Sequence, residues 1–308
     1  MWGARVGIEV NVKKTYVEEA APAGCKAVKI ALTGLKGGHS GVDIHLGRAN
    51  ANKVMNRFLY EVNQKFSLRI TEIKGGSLRN AIPRESFVTA VIPADNENEL
   101  QSLAIEFQNQ IRAEFKMEEK ALMTISSAEM PAKVMEVKAQ KDLLNAIYAA
   151  PNNVLAMSID IPGLVETSNN LAKVTVANGD LSVQCLARSN GEAGKEELVR
   201  SIRATFELFG AEVQFQGSYP GWKPDMSSPI LQVARDKYKE LFKEDAKVMA
   251  VHAGLECGII GKAYPRLDMV SFGPTIKYPH SPDEKVNIKS VEKFWKMLLA
   301  MLEGVPNR

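Results

Sequence analysis

The sequence is poor in the residues that build most metal and redox centres. It has four histidines and three cysteines among 308 residues. The cysteines, Cys25, Cys185 and Cys257, are odd in number and far apart, and they form no Cys-x-x-Cys pair. This usage argues against a disulfide scaffold and favours a reduced, cytoplasmic protein. Because Cys185 and Cys257 stand in apolar surroundings, we expect both to be buried structural thiols.

The sequence also lacks long apolar runs and dense runs of positive charge. The net charge is only +3, which argues against nucleic acid as the main partner. No apolar run is long enough to span a bilayer, and residues 1–5 lack the apolar core of a signal peptide, so we expect no membrane partner. Hydrophobic residues make up 45% and charged residues 24%, which is typical of soluble globular proteins, and the length suffices for two domains.

Several common catalytic signatures are missing as well. The sequence contains no P-loop, no His-Glu-x-x-His, no Gly-x-Ser-x-Gly and no Gly-x-Gly-x-x-Gly after a strand. Each of these motifs places particular groups around a phosphate, a zinc ion or a nucleophile. Their absence argues against the nucleotide-binding, zincin and serine-hydrolase arrangements that they define.

A repeated order of strands and helices is present. Apolar periodicity predicts two α+β units of about one hundred residues, at 25–118 and 119–218. The second unit is predicted to open with a strand at 121–127. Before both, residues 6–12 alternate like a strand whose partner is not evident nearby, so we expect the true start of the protein upstream.

A Pro- and Gly-rich segment at 219–224 marks a crossing into a different kind of structure. The residues that follow predict an α/β piece with helices at 229–242 and 288–302 and strands at 247–251 and 267–272. This piece has too few strands for a whole α/β domain. It is predicted to be the returning half of a domain.

The segment 278–284 gives the strongest single indication of chemistry. His280 follows a predicted strand and lies between Pro279 and Pro282, and such a rigid turn restricts where the imidazole points, which suits a metal ligand. A catalytic zinc site needs about three protein ligands, and Asp283 or Glu284 cannot complete that set. A turn histidine without metal is the alternative.

Other turns carry candidate binding residues, each with an ordinary alternative. His39, in the Gly-rich turn 37–41, either contacts a substrate or oxyanion or caps the next helix, and turn chemistry slightly favours the cap. Asn80 either donates to a ligand or forms an Asx-turn. Arg188 either binds a carboxylate at the end of an apolar strand or is solvated there. The turn at 252–254 either offers backbone amides to an anion or simply begins a helix.

Taken in order, six motifs resemble the aminoacyl-histidine dipeptidases (Xaa-His dipeptidases, peptidase D), a group of the aminoacylase/carnosinase-like di-zinc metallopeptidases. They are Gly37–Gly41 with Asp43-Ile44-His45, Leu78–Pro83, Val165–Ser168, Tyr219–Asp225, His252–Gly258 and Ser271–Glu284. The resemblance implies an α/β catalytic domain interrupted by a lid of two α+β subdomains. In that scheme, residues 1–12 end the N-terminal catalytic segment, 13–218 form the lid and 219–308 return to the catalytic domain.

The resemblance also implies roles for particular residues. It implies two zinc ions, with His280 as the last metal ligand, and hydrolysis of Xaa-His dipeptides, often by a homodimer. His39 corresponds to the lid histidine that polarises the scissile carbonyl. Asn80 and Arg188 correspond to substrate contacts, Arg188 to the one that binds the terminal carboxylate. His252 and Gly254 correspond to part of the substrate-carboxylate pocket.

The sequence departs from the family in its metal ligands. The family's His-x-Asp segment, bridging Asp, Glu-Glu pair and further acidic ligand have no counterpart here and are expected upstream of Met1. We therefore expect this chain alone to bind metal weakly, to have little peptidase activity and to expose an apolar patch along 247–251 and 267–272. The alternatives are a related aminoacylase or deacetylase, or a non-catalytic binding or dimerisation module derived from the lid.

Overall fold

The structure is a computed structural model of the whole chain. It describes residues 2–4, 6–159, 161–217, 225–251, 256–277 and 285–304. The chain divides into two compact units, a large unit of residues 7–218 and a small unit of residues 1–6 and 219–308. The corresponding limits predicted from the sequence are 13–218 for the first and 1–12 with 219–308 for the second.

The described strands and helices are numbered here in chain order. The strands are β1 (Trp2–Ala4), β2 (Val6–Thr15), β3 (Glu18–Ala20), β4 (Cys25–Thr33), β5 (Gly38–His39), β6 (Arg69–Gly75), β7 (Ala81–Ile82), β8 (Ser86–Pro93), β9 (Leu122–Ser127), β10 (Lys133–Met135), β11 (Asn153–Met157), β12 (Val165–Ala177), β13 (Asp180–Ser189), β14 (Glu212–Gln216), β15 (Met249–Val251), β16 (Ile276–Lys277) and β17 (Lys285–Val286). The helices are α1 (Ala51–Lys65), α2 (Glu97–Glu114), α3 (Val137–Ala149), α4 (Glu192–Leu208), α5 (Pro229–Phe242), α6 (Glu256–Ala263) and α7 (Ile288–Gly304). Among the described residues, every helix is too short or too polar to cross a membrane.

One long sheet organises the large unit. Its strand order is β14-β2-β13-β12-β6-β8-β4-β9, and β11 also pairs with β12. The antiparallel pair β6 and β12 joins the two halves, with Ile73 opposite Val176. Each half has four strands along this path, so the sheet carries two groups of four strands side by side.

Strand pairing differs from the predicted repeat at one point. The strand at 121–127, predicted to open the second copy, instead lies at the sheet edge beside β4, with Ile125 opposite Ile30. The prediction was wrong because it followed chain order. After α2 the chain returns to the first half, where Met123 is buried against the core. A division between the halves at 118/119 therefore separates β9 from its own sheet partner.

The partner of β2 comes from the far end of the large unit. β2 lies between β13 and β14, and Val10 is opposite Phe215 on β14. This pairing joins residues distant in sequence, which is why local patterns did not reveal it.

Helices α1 to α4 contribute to one shared core with the sheet. Alternation along the strands and three-to-four spacing along the helices direct apolar side chains to the same layer. Val28, Ile30 and Leu32 of β4 are buried there, and the ring of Phe58 on α1 meets Phe107 on α2 with centroids 5.2 Å apart. The result is a two-layer α/β arrangement. Cys185 is fully buried in this core, as predicted.

The small unit packs α5 against α7. Helix α5 starts and ends where the sequence predicted, because the Ser228 side chain accepts the backbone N–H of Leu231 and Pro229 follows at the first helical position. The predicted strand at 267–272 is wrong: these residues have no strand partner among the described residues, and a strand needs one for its backbone hydrogen bonds. Val270 and Phe272 are instead half-buried against the α5–α7 core. Cys257 is half-buried rather than buried, which corrects the prediction.

Candidate functional site

His39 is held on a short ribbon of the large unit. On β5 it pairs with Ala81 of β7, and Gly38 pairs with Ile82. Gly38 has a φ of +141°, and a Cβ there would lie 2.1 Å from Arg48 Nη1 and 2.6 Å from Asp43 Oδ2. Only glycine fits this conformation and this spacing. The Gly-rich turn seen in the sequence is therefore needed to place His39.

The main chain selects one tautomer of His39. The backbone N–H groups of Gly41 and Val42 donate to its Nδ1 at 3.1 and 3.0 Å. Nδ1 is thus an acceptor without a proton, and the proton of the neutral ring is on Nε2. Burial lowers the pKa of His39 and the positive charge of Arg188 lowers it further, whereas Asp43 acts in the opposite direction. His39 is therefore a neutral Nε2–H donor at neutral pH.

Asp43 and Arg48 hold the loop around His39. Asp43 Oδ2 accepts the backbone N–H of His39 at 2.8 Å and lies 3.3 Å from Arg48 Nη1. Arg48 Nη1 also donates to the carbonyl of Gly37 at 2.5 Å. These contacts make the loop a fixed support for the imidazole. His45 is exposed in the short 3₁₀ helix that follows, Ile44–Leu46.

Arg188 lies in a buried polar region at the end of β13. It faces Ser168 on β12, and the two residues are 6% and 1% exposed. Its positive charge is also one of the causes of the lowered pKa of His39. On the opposite strand face, Thr167 and Ser189 hydrogen-bond at 3.0 Å. A guanidinium in this buried position is suited to a carboxylate, because its geometry offers two parallel N–H donors.

Asn80 lies in the turn directly before β7. Its carbonyl accepts the backbone N–H of Ser40 at 2.7 Å, and the residue is exposed. Asn170 of β12 supports this turn, because its Nδ2 donates to the carbonyls of Arg79 and Ala81 at 3.1 and 2.8 Å. The structure therefore brings together three of the predicted site residues: His39, Asn80 and Arg188.

The other predicted site residues lie outside the described part of the chain. They are His252, Gly254 and His280. Within the described ranges, no group of three or more His, Cys, Asp or Glu side chains is arranged to hold a metal ion. The described part of the chain thus does not by itself fit a metal centre.

Sequence reasoning missed the residues that support the site. Asn170 belongs to a buried polar run, 167–170, inside a strand, and polar residues in a core strand are themselves a signal because they must find hydrogen-bond partners. Asp43 was named in one of the motifs, but its supporting role was not predicted; the signal was a carboxylate four residues after His39. Glu118 had none, because it bonds to residues 82 and 69 positions away.

Comparison with known proteins gives matches over nearly the whole chain. Residues 30–119 match the peptidase dimerisation domain of M20 peptidases. Cytosol non-specific dipeptidase from Escherichia coli (strain K12) is 40% identical over 305 residues, which are 99% of this chain and 63% of that protein. The crystal structure of aminoacylhistidine dipeptidase from Vibrio alginolyticus has a TM-score of 0.94 and 43% identity, covering 99% of this chain and 63% of that one. The chain thus spans 63% of the length of both relatives.

Fold and similarity together define the class: the chain is a mixed α/β protein with an M20 peptidase-like fold. This confirms the predicted combination of α/β and α+β structure. Within that class, the chain is similar over nearly its whole length to an aminoacylhistidine dipeptidase and to a cytosol non-specific dipeptidase, which agrees with the resemblance of its sequence motifs.

Proposed function

We propose that this chain serves the metal-dependent hydrolysis of dipeptides, with Xaa-His dipeptides as substrates. One observation carries the proposal: a neutral histidine, fixed as an Nε2–H donor, lies beside a buried arginine in a chain 43% identical to a protein described as an aminoacylhistidine dipeptidase. A carbonyl-polarising donor next to a carboxylate-binding cation is the pair that a short peptide with a free C-terminus requires.

In this proposal, His39 acts through its Nε2–H. The donor points at the oxygen of the scissile carbonyl, and its hydrogen bond strengthens as negative charge develops there during attack. Because Nδ1 is already occupied by two backbone donors, His39 keeps its proton on Nε2 and does not act as the base.

Arg188 and Asn80 bind two different polar groups of the substrate. Arg188 pairs with the terminal carboxylate, which limits substrates to those that end within reach of the guanidinium. The exposed amide of Asn80 donates to a peptide carbonyl. His252 and Gly254 are proposed as further contacts of the carboxylate pocket.

A metal is proposed because the sequence motifs resemble those of di-zinc metallopeptidases and residues 30–119 match a domain of M20 peptidases. Zinc is proposed as the ion and His280 as one ligand. The described residues do not form a complete metal site. The roles given to His39, Arg188 and Asn80 therefore concern carbonyl polarisation and substrate binding only.

Assembly and location follow from the same similarities. The match of residues 30–119 to a peptidase dimerisation domain supports a homodimer. The name of the Escherichia coli relative, a cytosol dipeptidase, supports a cytoplasmic location.

A hydrolysis assay tests the function. The protein is expressed from its own gene, including any coding sequence that adjoins residues 1–308. Substrates are an Xaa-His dipeptide, a tripeptide and N-acetylhistidine, each with and without a chelator. We expect the dipeptide to be cleaved, and we expect the chelator to abolish this cleavage.

The substitution Arg188→Ala should raise KM for the dipeptide about tenfold or more, because a charge-assisted pair is lost. Arg200→Ala, which removes an exposed guanidinium from α4, is the matched control.

Two outcomes would contradict the proposal. Cleavage of N-acetylhistidine without cleavage of the dipeptide would indicate an aminoacylase, and no hydrolysis of any substrate would favour a non-catalytic module. The expectation that the 308-residue chain alone has little activity stays a prediction, which the same assay on that chain tests.

A further inference from the structure

The loop that carries His39 is closed at its base by one buried carboxylate. Glu118 is 1% exposed and lies in the turn between α2 and β9. Its Oε2 accepts the backbone N–H of Lys36 at 2.7 Å, and its Oε1 accepts that of Ala49 at 3.2 Å. Lys36 stands just before the Gly-rich turn and Ala49 just after Arg48. The two oxygens of a single side chain thus join both ends of the loop.

The same turn contacts the start of the loop a second time. Gly34 has a φ of +75°, and a Cβ there would lie 2.0 Å from the carbonyl oxygen of Lys120. The backbone of residues 118–121 therefore packs directly against the chain that enters the loop, and a side chain at position 34 would separate them. This close packing leaves Glu118 in register with its two donors.

A carboxylate is suited to this place because it is acceptor-only. Backbone N–H groups that converge from two directions need two acceptors, and each carboxylate oxygen supplies one. An amide of the same size supplies one acceptor and one donor, so it would leave one backbone N–H facing another N–H. The pairing therefore distinguishes Glu from Gln at position 118.

We infer that Glu118 is a positioning residue that sets the place and tautomer of His39 by closing the base of the loop 36–49. The inference rests on the proposed role of His39. Glu118 touches neither substrate nor His39 directly. It acts through the loop backbone, where Gly41 and Val42 donate to His39 Nδ1 and where Arg48 and Asp43 hold the turn.

Site-resolved amide exchange of the 308-residue chain tests this without any substrate. In Glu118→Gln, we expect the amide of Lys36 or of Ala49, whichever loses its acceptor, to exchange about tenfold faster or more, the ratio that corresponds to losing one hydrogen bond to a charged group. The amides of Gly41 and Val42 should exchange faster with it, because the base of the loop is then open. Amides in the β4–β8 ladder should keep their rates. The imidazole ¹⁵N signals of His39, assigned with His39→Asn, should change from the Nε2–H tautomer to a mixture of tautomers.

Glu119→Gln is the matched control, because it makes the same chemical change at the exposed neighbouring residue. It should leave both readouts unchanged. If Glu118→Gln does not fold, Glu118→Asp keeps the charge but is too short to reach both donors, and it should give the same local pattern. Unchanged exchange at Gly41 and Val42, or equal acceleration in the loop and in the β4–β8 ladder, would overturn the inference. Neither readout depends on peptidase activity, so failure here is distinct from failure of the proposed function.

Discussion

The protonation state of His39 depends on the loop that holds it. Its Nδ1 accepts hydrogen bonds from two backbone N–H groups. A proton added to Nδ1 would face these two hydrogens and be repelled by them. The ring therefore stays neutral for two reasons, the local hydrogen bonding and the burial beside Arg188 that lowers its pKa. Held in this way, the ring donates from Nε2, whereas an unconstrained imidazole would distribute its proton between the two nitrogens.

The lowered pKa of His39 predicts how stability depends on pH. The unfolded chain has an ordinary histidine pKa near 6.5, and the folded value is lower. As pH falls below about 6.5, the unfolded state therefore binds a proton more readily than the folded state, and stability is lost. His39→Asn keeps an acceptor near the place of Nδ1 and removes the titration. Urea midpoints at several pH values between neutral and about 5 should fall more steeply for the unsubstituted chain than for this variant.

His45→Asn, on the exposed part of the same loop, is the control for that comparison. It should leave the pH dependence of the urea midpoint as it is in the unsubstituted chain. Parallel curves for His39→Asn and the unsubstituted chain would contradict the prediction.

At the scale of elements, α1 and α3 are joined by a capping lysine. The last carbonyls of a helix have no partner within the helix. Lys53 on α1 supplies partners at the end of α3, since its Nζ donates to the carbonyls of Ile147, Tyr148 and Ala150 at 2.7, 2.7 and 2.9 Å. A cation at this end of a helix is also favoured by the helix dipole. One side chain therefore terminates one helix and fixes its position against another.

Lys53→Met should destabilise the large unit. The substitution keeps the apolar stem and removes all three donors, leaving carbonyls partly buried without partners, at a cost of about 1.5–3 kcal/mol. Urea unfolding followed by circular dichroism measures the difference. Lys65→Met, at the exposed end of the same helix, is the control and should change stability little. Equal urea midpoints for Lys53→Met and Lys65→Met would show that the hydrogen bonds of Lys53 add nothing to the stability of the large unit.

Elements with local signals were predictable, and elements defined by distant partners were not. Helix α5 was located from Ser228, Pro229 and apolar spacing, all within a few residues. β9 was recognised as a strand but given to the wrong half, because its partner β4 lies far back in the chain. The predicted strand at 267–272 failed for a related reason: an apolar run alone does not supply hydrogen bonds. The Gly-rich turn of His39 was recognised locally, but its role came from the family resemblance and stays a prediction. Glu118 bonds to residues so far away in the chain that no local pattern indicates it.

At the scale of the whole molecule, the described residues of the two units differ in how completely they bury apolar side chains. In the small unit, the fully buried residues of the core cluster are Ala234, Met297 and Met301, two of them on α7. The opposite side of α7 carries exposed apolar residues three or four positions apart: Ile288, Val291, Trp295, Leu299 and Leu302. This spacing places them on one stripe. The patch expected along 267–272 is smaller, since Leu267 is exposed but Val270 and Phe272 are half-buried.

The stripe on α7 predicts self-association of the 308-residue chain. A contiguous exposed apolar surface is removed from water when two copies meet, so the weight-average mass should rise with concentration. Trp295→Lys combined with Leu299→Lys adds charge to the centre of the stripe and leaves the buried face with Met297 and Met301 intact. Light scattering should then show a lower mass at the same concentration, while circular dichroism stays unchanged.

Glu303→Lys separates the stripe from net charge, because it changes the charge of α7 by the same amount as the double substitution but adds no charge to the stripe itself. It should leave the association as it is in the unsubstituted chain. Equal reduction of association by Glu303→Lys and by the double substitution would mean that charge, not the stripe, governs association.

A discrete dimer that persists in the double variant is expected if residues 30–119 act as the dimerisation domain that they match. An open-ended association that persists there would contradict the role of the stripe, because a two-fold interface closes after two copies whereas an exposed apolar surface does not set a stoichiometry.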